Sequence, residues 1–137
     1  MSLRPFVLII DGTSEEQLSI VENLEDTGYH AYGVKNPEQA LTFCREVDIV
    51  LTSLQSIEQF GLASFRALQE KAPKLRFILT APEDRIAHLD LPGLRIARTV
   101  PAPFLLRDLI RAVRRTSSPW YIIWRRFLTG GEKGAGC

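Results

Sequence analysis

Short, continuous apolar runs alternate with longer amphipathic segments along this chain. Phe6-Val7-Leu8-Ile9-Ile10 is β-favouring throughout, the pattern of a strand covered on both faces, and it stops at Asp11-Gly12. Ser14 followed by Gln17 forms a capping-box pattern, with Glu15 and Glu16 suited to a first helical turn. The helix it opens places Leu18, Val21 and Leu24 on one face with Ile20 beside them, and Gly28 stops it. Tyr29 to Val34 is a second strand. Asn36-Pro37 supplies an N-cap and first helical residue for a helix that turns Ala40, Leu41 and Cys44 inward. Val47 to Thr52 is the third strand, followed by a loop over 53 to 60. Leu62, Phe65 and Leu68 or Gln69 then recur at helical spacing up to Ala72-Pro73, and Leu75 to Thr80 is the fourth strand. Pro82 to Leu89 is a short helix, Leu94 to Val100 a strand interrupted by Arg95 and Arg98, and Pro103 to Arg115 an amphipathic helix.

Five strand–helix pairs result. Strands separated by single helices cannot pair as tight hairpins, so the expected architecture is an α/β domain: a doubly wound, five-stranded parallel sheet of flavodoxin-like type over residues 1–116. Residues 117–137 form a separate extension. In open sheets of this kind ligands bind beyond the carboxyl ends of the strands. Leu51-Thr52-Ser53 is such an end in the middle of the chain, which makes Ser53 the residue of greatest interest.

Composition narrows the picture. At 137 residues the chain has room for one domain with its own core. No apolar run approaches the length of a membrane span, and the five-residue apolar run near the N-terminus is too short for a signal-peptide core. Cys44 and Cys137 lack metal-ligand spacing and do not make a disulfide framework, so a cytoplasmic, reducing setting is expected. The formal net charge is +1 but unevenly spread. Residues 1–94 hold 8 Lys+Arg and 14 Asp+Glu, net −6, whereas residues 95–137 hold 9 and 2, net +7. A basic C-terminal third suits an acidic partner, although a solvated helix face would look the same.

With this order of elements, residues 5–115 resemble the receiver domain of bacterial response regulators. Receivers have an acidic pair after the first strand, a phospho-accepting aspartate ending the third, a hydroxyl residue ending the fourth and Lys-Pro after the fifth. Here Ser53 stands in the acceptor's place, with Gly61 eight positions on, as in the family. Thr80-Ala81 matches the hydroxyl position. Ala102-Pro103-Phe104 stands for Lys-Pro-Phe, the acidic pair is reduced to Asp11-Gly12, and Thr99 falls at the aromatic switch position. The resemblance therefore implies a degenerate, pseudo-receiver type in which three charged parts of the site are gone.

Those losses bear on one chemistry. Phosphoryl transfer depends on positioning and on neutralising charge, with Mg²⁺ held by carboxylates and a lysine completing the clamp. A serine hydroxyl is a poor nucleophile without a base, and neither His30 nor His88 is placed to serve. Asp11 alone offers few hard oxygen ligands, so no tightly bound Mg²⁺, no other metal and no cofactor is expected. Two readings of Asp11, Ser53 and Thr80 remain open: a small hydrogen-bonded cluster that satisfies its own members, or a pocket for a small anion or metabolite helped by Gly12 and Thr13 before the first helix. No dinucleotide, Walker, zinc-protease or C-x-x-C motif occurs.

Beyond the receiver-like part, Ser118-Pro119 and Gly130-Gly131 frame a short helix in which Trp120, Ile123, Trp124 and Phe127 form one stripe beside Arg125 and Arg126. A strand is the other possibility for Trp120 to Trp124. The stripe packs on its own domain or a second copy, docks a partner, or lies on a membrane surface. In the receiver family the face made by the fourth helix, fifth strand and fifth helix commonly makes dimer or partner contacts. Here it would carry Arg95, Arg98, Arg107, Arg111, Arg114 and Arg115. The expected function is accordingly a non-enzymatic, phosphorylation-independent interaction module whose partner is a protein or a second copy of itself. Binding of nucleic acid or an anionic surface by the same arginines is the alternative, although no DNA-reading unit follows residue 116.

Overall fold

The computed structural model describes residues 4–11 and 14–117. Five strands, β1 (Phe6–Ile10), β2 (His30–Gly33), β3 (Ile49–Ser53), β4 (Arg76–Pro82) and β5 (Ile96–Ala102), form a parallel sheet in the order β2-β1-β3-β4-β5. They are joined by α1 (Ser14–Asp26), α2 (Pro37–Ala40) with a 3₁₀ turn over Leu41–Phe43, α3 (Leu54–Phe60), α4 (Leu62–Lys71), α5 (Glu83–Ile86) and α6 (Leu106–Thr116). The expected doubly wound, flavodoxin-like domain is what the structure contains.

The apolar runs of the three central strands, β1, β3 and β4, follow from burial on both sides, with alternate residues pointing to opposite faces, whereas the edge strands β2 and β5 are partly exposed. Leu8, Ile10, Val50, Phe77 and Leu79 point one way, to a core closed by Ala40, Phe65 and Leu68. Val7, Ile9, Ile49, Leu51 and Ile78 point the other way, to a core closed by Leu24 of α1 and by Leu109 and Val113 of α6. Helices α1 and α6 thus share one face of the sheet. Asn36 caps α2 by accepting from the Gln39 N–H at 2.9 Å, and Gly28 ends α1 with φ of 106°, a conformation costly for any residue with a Cβ.

Several local expectations are corrected. Residues 54–60 are helical: Ser53 caps α3, and Gly61, with φ of 90°, separates it from α4. Leu54, Ile57 and Phe60 give α3 an apolar three-residue spacing, but over only seven residues and straight after a strand it is a short signal. Leu18 is 58% exposed and lies off the buried stripe of α1. Gln17 is turned inward, where its amide donates to the carbonyls of Ile9 at 3.3 Å and Val34 at 2.9 Å, tying the end of β1 to the segment after β2. The Ser14 side chain, the other half of the expected capping box, lies outside the described residues.

Asp48 lies just before β3, at the opposite end of the sheet from Ser53. Its carboxylate accepts from the Phe6 N–H at 2.9 Å and pairs with Lys74 at 3.6 Å. That position makes it a structural anion, remote from the strand ends where chemistry would occur. Arg95 is likewise structural. Its guanidinium donates to the carbonyls of Leu75 (3.0 Å), Ala72 (3.0 Å) and Pro73 (3.2 Å) beyond the end of α4, rather than facing outward with the other arginines.

Candidate functional site

The carboxyl ends of β1 and β3 bring Asp11 and Ser53 together. Ser53 Oγ donates to Asp11 Oδ1 at 2.8 Å, and Ser56 Oγ donates to the same oxygen at 2.7 Å. Ser53 Oγ also accepts from the Ser56 N–H at 3.0 Å, which makes it the N-cap of α3. The hydroxyl is therefore used twice, as donor to the carboxylate and as the first acceptor of a helix. Ser56, in a segment whose sequence reads as a loop, is the functional neighbour that the hydrophobic pattern of the sequence does not mark. Its signal was the three-residue spacing from Ser53, which is that of an N-cap to the residue it caps. Beneath them Thr52 Oγ1 donates to the Ile10 carbonyl at 2.6 Å, holding β1 and β3 at their ends.

Thr80 joins this group in register but not in bonding. It pairs with Ser53 across β3 and β4 and is buried, yet the hydrogen-bonded cluster consists of Asp11, Ser53 and Ser56. Thr80 instead lines a mostly apolar cavity of about 240 Å³, with Ile9, Leu51, Phe104 and Leu109 among its walls. Ala102 ends β5, joined to Pro103 by a cis peptide bond, and brings no charge to the site. Gly12 falls outside the described residues, as do Thr13 and its part in any anion pocket.

Among the described residues this arrangement joins one carboxylate with two hydroxyls, and no Lys or Arg forms an ion pair with Asp11. Among the described residues no group of three or more His, Cys, Asp or Glu side chains could hold a metal ion. His30 opens β2 at the far end of the sheet, and His88, which follows α5, makes none of the hydrogen bonds of the Asp11–Ser53–Ser56 cluster. On the β2 side of Asp11 an open cleft of about 690 Å³ is walled by Gln17, Tyr32, Lys35, Ser56 and Phe60.

The arginines form the second candidate surface. Arg98, Arg107, Arg111, Arg114 and Arg115 are all exposed. A shallow cleft of about 590 Å³ runs between the β5 edge and α6, flanked by Arg98, Arg111 and Arg115, with Thr99 exposed beside them. The acid within it, Asp108, accepts from the Leu105 N–H at 2.9 Å and so serves the start of α6. Trp120, Trp124, Arg125 and Phe127 lie outside the described residues.

Strand order, crossover pattern and the place of Asp11, Ser53, Thr80 and Ala102 at the strand ends define the fold as that of response-regulator receiver domains. The chain is similar in structure to the signal receiver domain of an HD domain-containing protein from Pseudomonas fluorescens, at 20% identity and a TM-score of 0.71, covering 93% of this chain and 95% of that one. A response regulator from Thermotoga maritima aligns at 22% identity and a TM-score of 0.68, over 84% of this chain and 98% of its own. A response regulator receiver domain protein from Clostridium thermocellum does so at 19% identity and 0.65, over 90% and 98%. No protein-family profile matches the chain, and no curated protein matches it in sequence. Among the described residues no helix is long and apolar enough to cross a membrane.

Proposed function

We propose that this protein is a pseudo-receiver, a cytoplasmic signalling adaptor that acts by contact, without phosphorylation and without catalysis. The observation that carries the proposal is Ser53. In the place of a phospho-acceptor carboxylate it has a hydroxyl whose proton goes to Asp11 and whose oxygen caps α3. A receiver site must gather negative charge around Mg²⁺ and then answer it with a lysine. This site has one carboxylate, whose Oδ1 takes both serine hydroxyls, and Ala102 where the lysine would be. Residues 1–116 would then be the module and 117–137 an accessory segment, with Trp120, Trp124, Arg125 and Phe127 extending the contact surface. The surface of α5, β5 and α6 is the best candidate for partner contact, through Arg98, Arg111 and Arg115 around their cleft. Its charge favours a protein partner with an acidic rim.

Mass spectrometry after incubation with Mg²⁺ and acetyl phosphate tests the proposal, with a parallel titration of Mg²⁺ followed by Trp120 and Trp124 fluorescence. No phosphoryl adduct and no saturable Mg²⁺ response are expected. A hydroxylamine-labile adduct would overturn the reading, and Asp11 is the carboxylate at the strand ends to examine for it. The exposed arginines also favour a second reading, nucleic-acid or anionic-surface binding. A salt titration separates the two, because affinity built on phosphate contacts falls steeply as salt rises and does so for unrelated sequences alike.

A further inference from the structure

Helices α1 and α6 lie side by side on one face of the sheet and turn backs of opposite charge to solvent. The α1 helix carries Glu15, Glu16, Glu22, Glu25 and Asp26 and no basic residue, whereas α6 carries Arg107, Arg111, Arg114 and Arg115 against Asp108. On α1, Glu15, Glu22 and Asp26 fall on the side opposite the buried Leu24. On α6, Arg107 and Arg114 fall opposite the buried Leu109 and Val113. All five charged residues are exposed, and among the described residues none has an ion-pair partner.

The two helices also match in direction and height. Each runs back along the sheet after a parallel strand, so they are parallel to each other. Glu16, Ser19 and Ile20 line the same cavity as Leu106 and Leu109, so the first turns lie at about the same level. Glu15 and Glu22 are the second and ninth residues of α1, and Arg107 and Arg114 are the second and ninth residues of α6.

We propose that this face docks a second copy of the chain, about a two-fold axis that runs along the helices between α1 and α6. Rotation about that axis keeps helix direction and height while exchanging left for right. It lays α1 of each copy on α6 of the other, so that Glu15 meets Arg107 and Glu22 meets Arg114, twice each. A two-fold axis across the helices would instead stack α1 on α1 and α6 on α6, like charge on like, so the charge pattern selects one arrangement and rejects the other. The pairing uses the outward back of α6 and leaves the Arg98–Arg115 cleft open, so it does not rest on the adaptor reading.

Sedimentation velocity on the full chain tests the proposal, over a range of protein concentrations at about 0.01 M and about 1 M salt, where the Debye length falls from about 30 to about 3 Å. The expected result is a monomer–dimer equilibrium at low salt that shifts to monomer at high salt. Glu22→Arg and Arg114→Glu, each exposed and checked for folding by circular dichroism, should each weaken self-association about tenfold or more, since both copies of the contact become like-charged. Mixing the two variants should restore a dimer that neither forms alone, because the mixed pair regains opposite charges at both contacts. A monomer at low salt throughout, a dimer indifferent to both substitutions, or variants that fail to complement each other would overturn the proposal.

Discussion

Replacing Ser53 with alanine removes one oxygen that serves two structures at once. The first loss is the N-cap of α3, whose Ser56 N–H has its acceptor at 3.0 Å. Removal of such a cap costs about 1 kcal/mol. The second is the hydrogen bond given to Asp11 at 2.8 Å. A hydrogen bond to a charged group is worth about 1.5–3 kcal/mol in full, but Asp11 is only half-buried and keeps its bond from Ser56, so about 1 kcal/mol is the appropriate share. Together the expected destabilisation is about 2 kcal/mol. With a urea m-value of about 2 kcal/mol/M, the unfolding midpoint should fall by about 1 M. Ser53→Asn keeps both roles, since asparagine caps as well as serine and retains a donor for Asp11, and it should cost less than half as much. If the alanine variant unfolds within about 0.2 M urea of the parent, or if asparagine costs as much as alanine, the account of Ser53 as cap and donor is wrong.

Ser53→Asp keeps a capping oxygen but sets a second carboxylate against Asp11. It should be less stable than the parent at neutral pH and should recover on adding millimolar Mg²⁺, a response visible as a Mg²⁺-dependent melting temperature that the parent lacks. Gln17→Ala leaves the Ile9 and Val34 carbonyls without their side-chain donor. A loss of about 1–3 kcal/mol in urea unfolding is expected, and no loss would mean that solvent replaces the amide freely. Asp48→Ala strips a buried partner from Lys74 and the Phe6 N–H and should cost about 3 kcal/mol, without any change in the Mg²⁺ titration, because Asp48 sits at the far end of the sheet.

The centre of the sheet was legible because β1, β3 and β4 are covered on both faces, which leaves continuous apolar runs; the edge strands β2 and β5, with exposed Tyr32, Arg98 and Thr99, show weaker patterns. Helix starts were legible where a side chain announces them, as Asn36-Pro37 does for α2. What escaped the sequence shares one cause: polar residues whose roles depend on partners far along the chain. Gln17 reads as an ordinary first-turn residue until β1 and the residues after β2 bring two carbonyls beside it. Arg95 reads as surface charge, yet it closes the chain beyond α4, whose last carbonyls stand some twenty residues earlier. Ser56 gains meaning only when Asp11, 45 residues away, is placed opposite it. The site itself was half visible. The positions of Asp11, Ser53, Thr80 and Ala102 followed from the strand ends, whereas the bonding among them did not, because Thr80 meets Ser53 in register while its side chain belongs to the apolar cavity.

The opposite charges of α1 and α6 also make the protein a dipolar particle. Its formal charge of +1 describes it poorly, since a molecule nearly neutral in sum presents a cationic flank and an anionic flank side by side on one face. Near a polyanion or an acidic surface it should turn before it binds, leading with the β5 and α6 edge and trailing α1. The same molecule should be retained weakly by both cation- and anion-exchange media close to its isoelectric point, and lose that double character as salt shortens the reach of each flank. For a protein of this kind, orientation at a charged surface is a property of the fold, set by which helices follow the first and last strands.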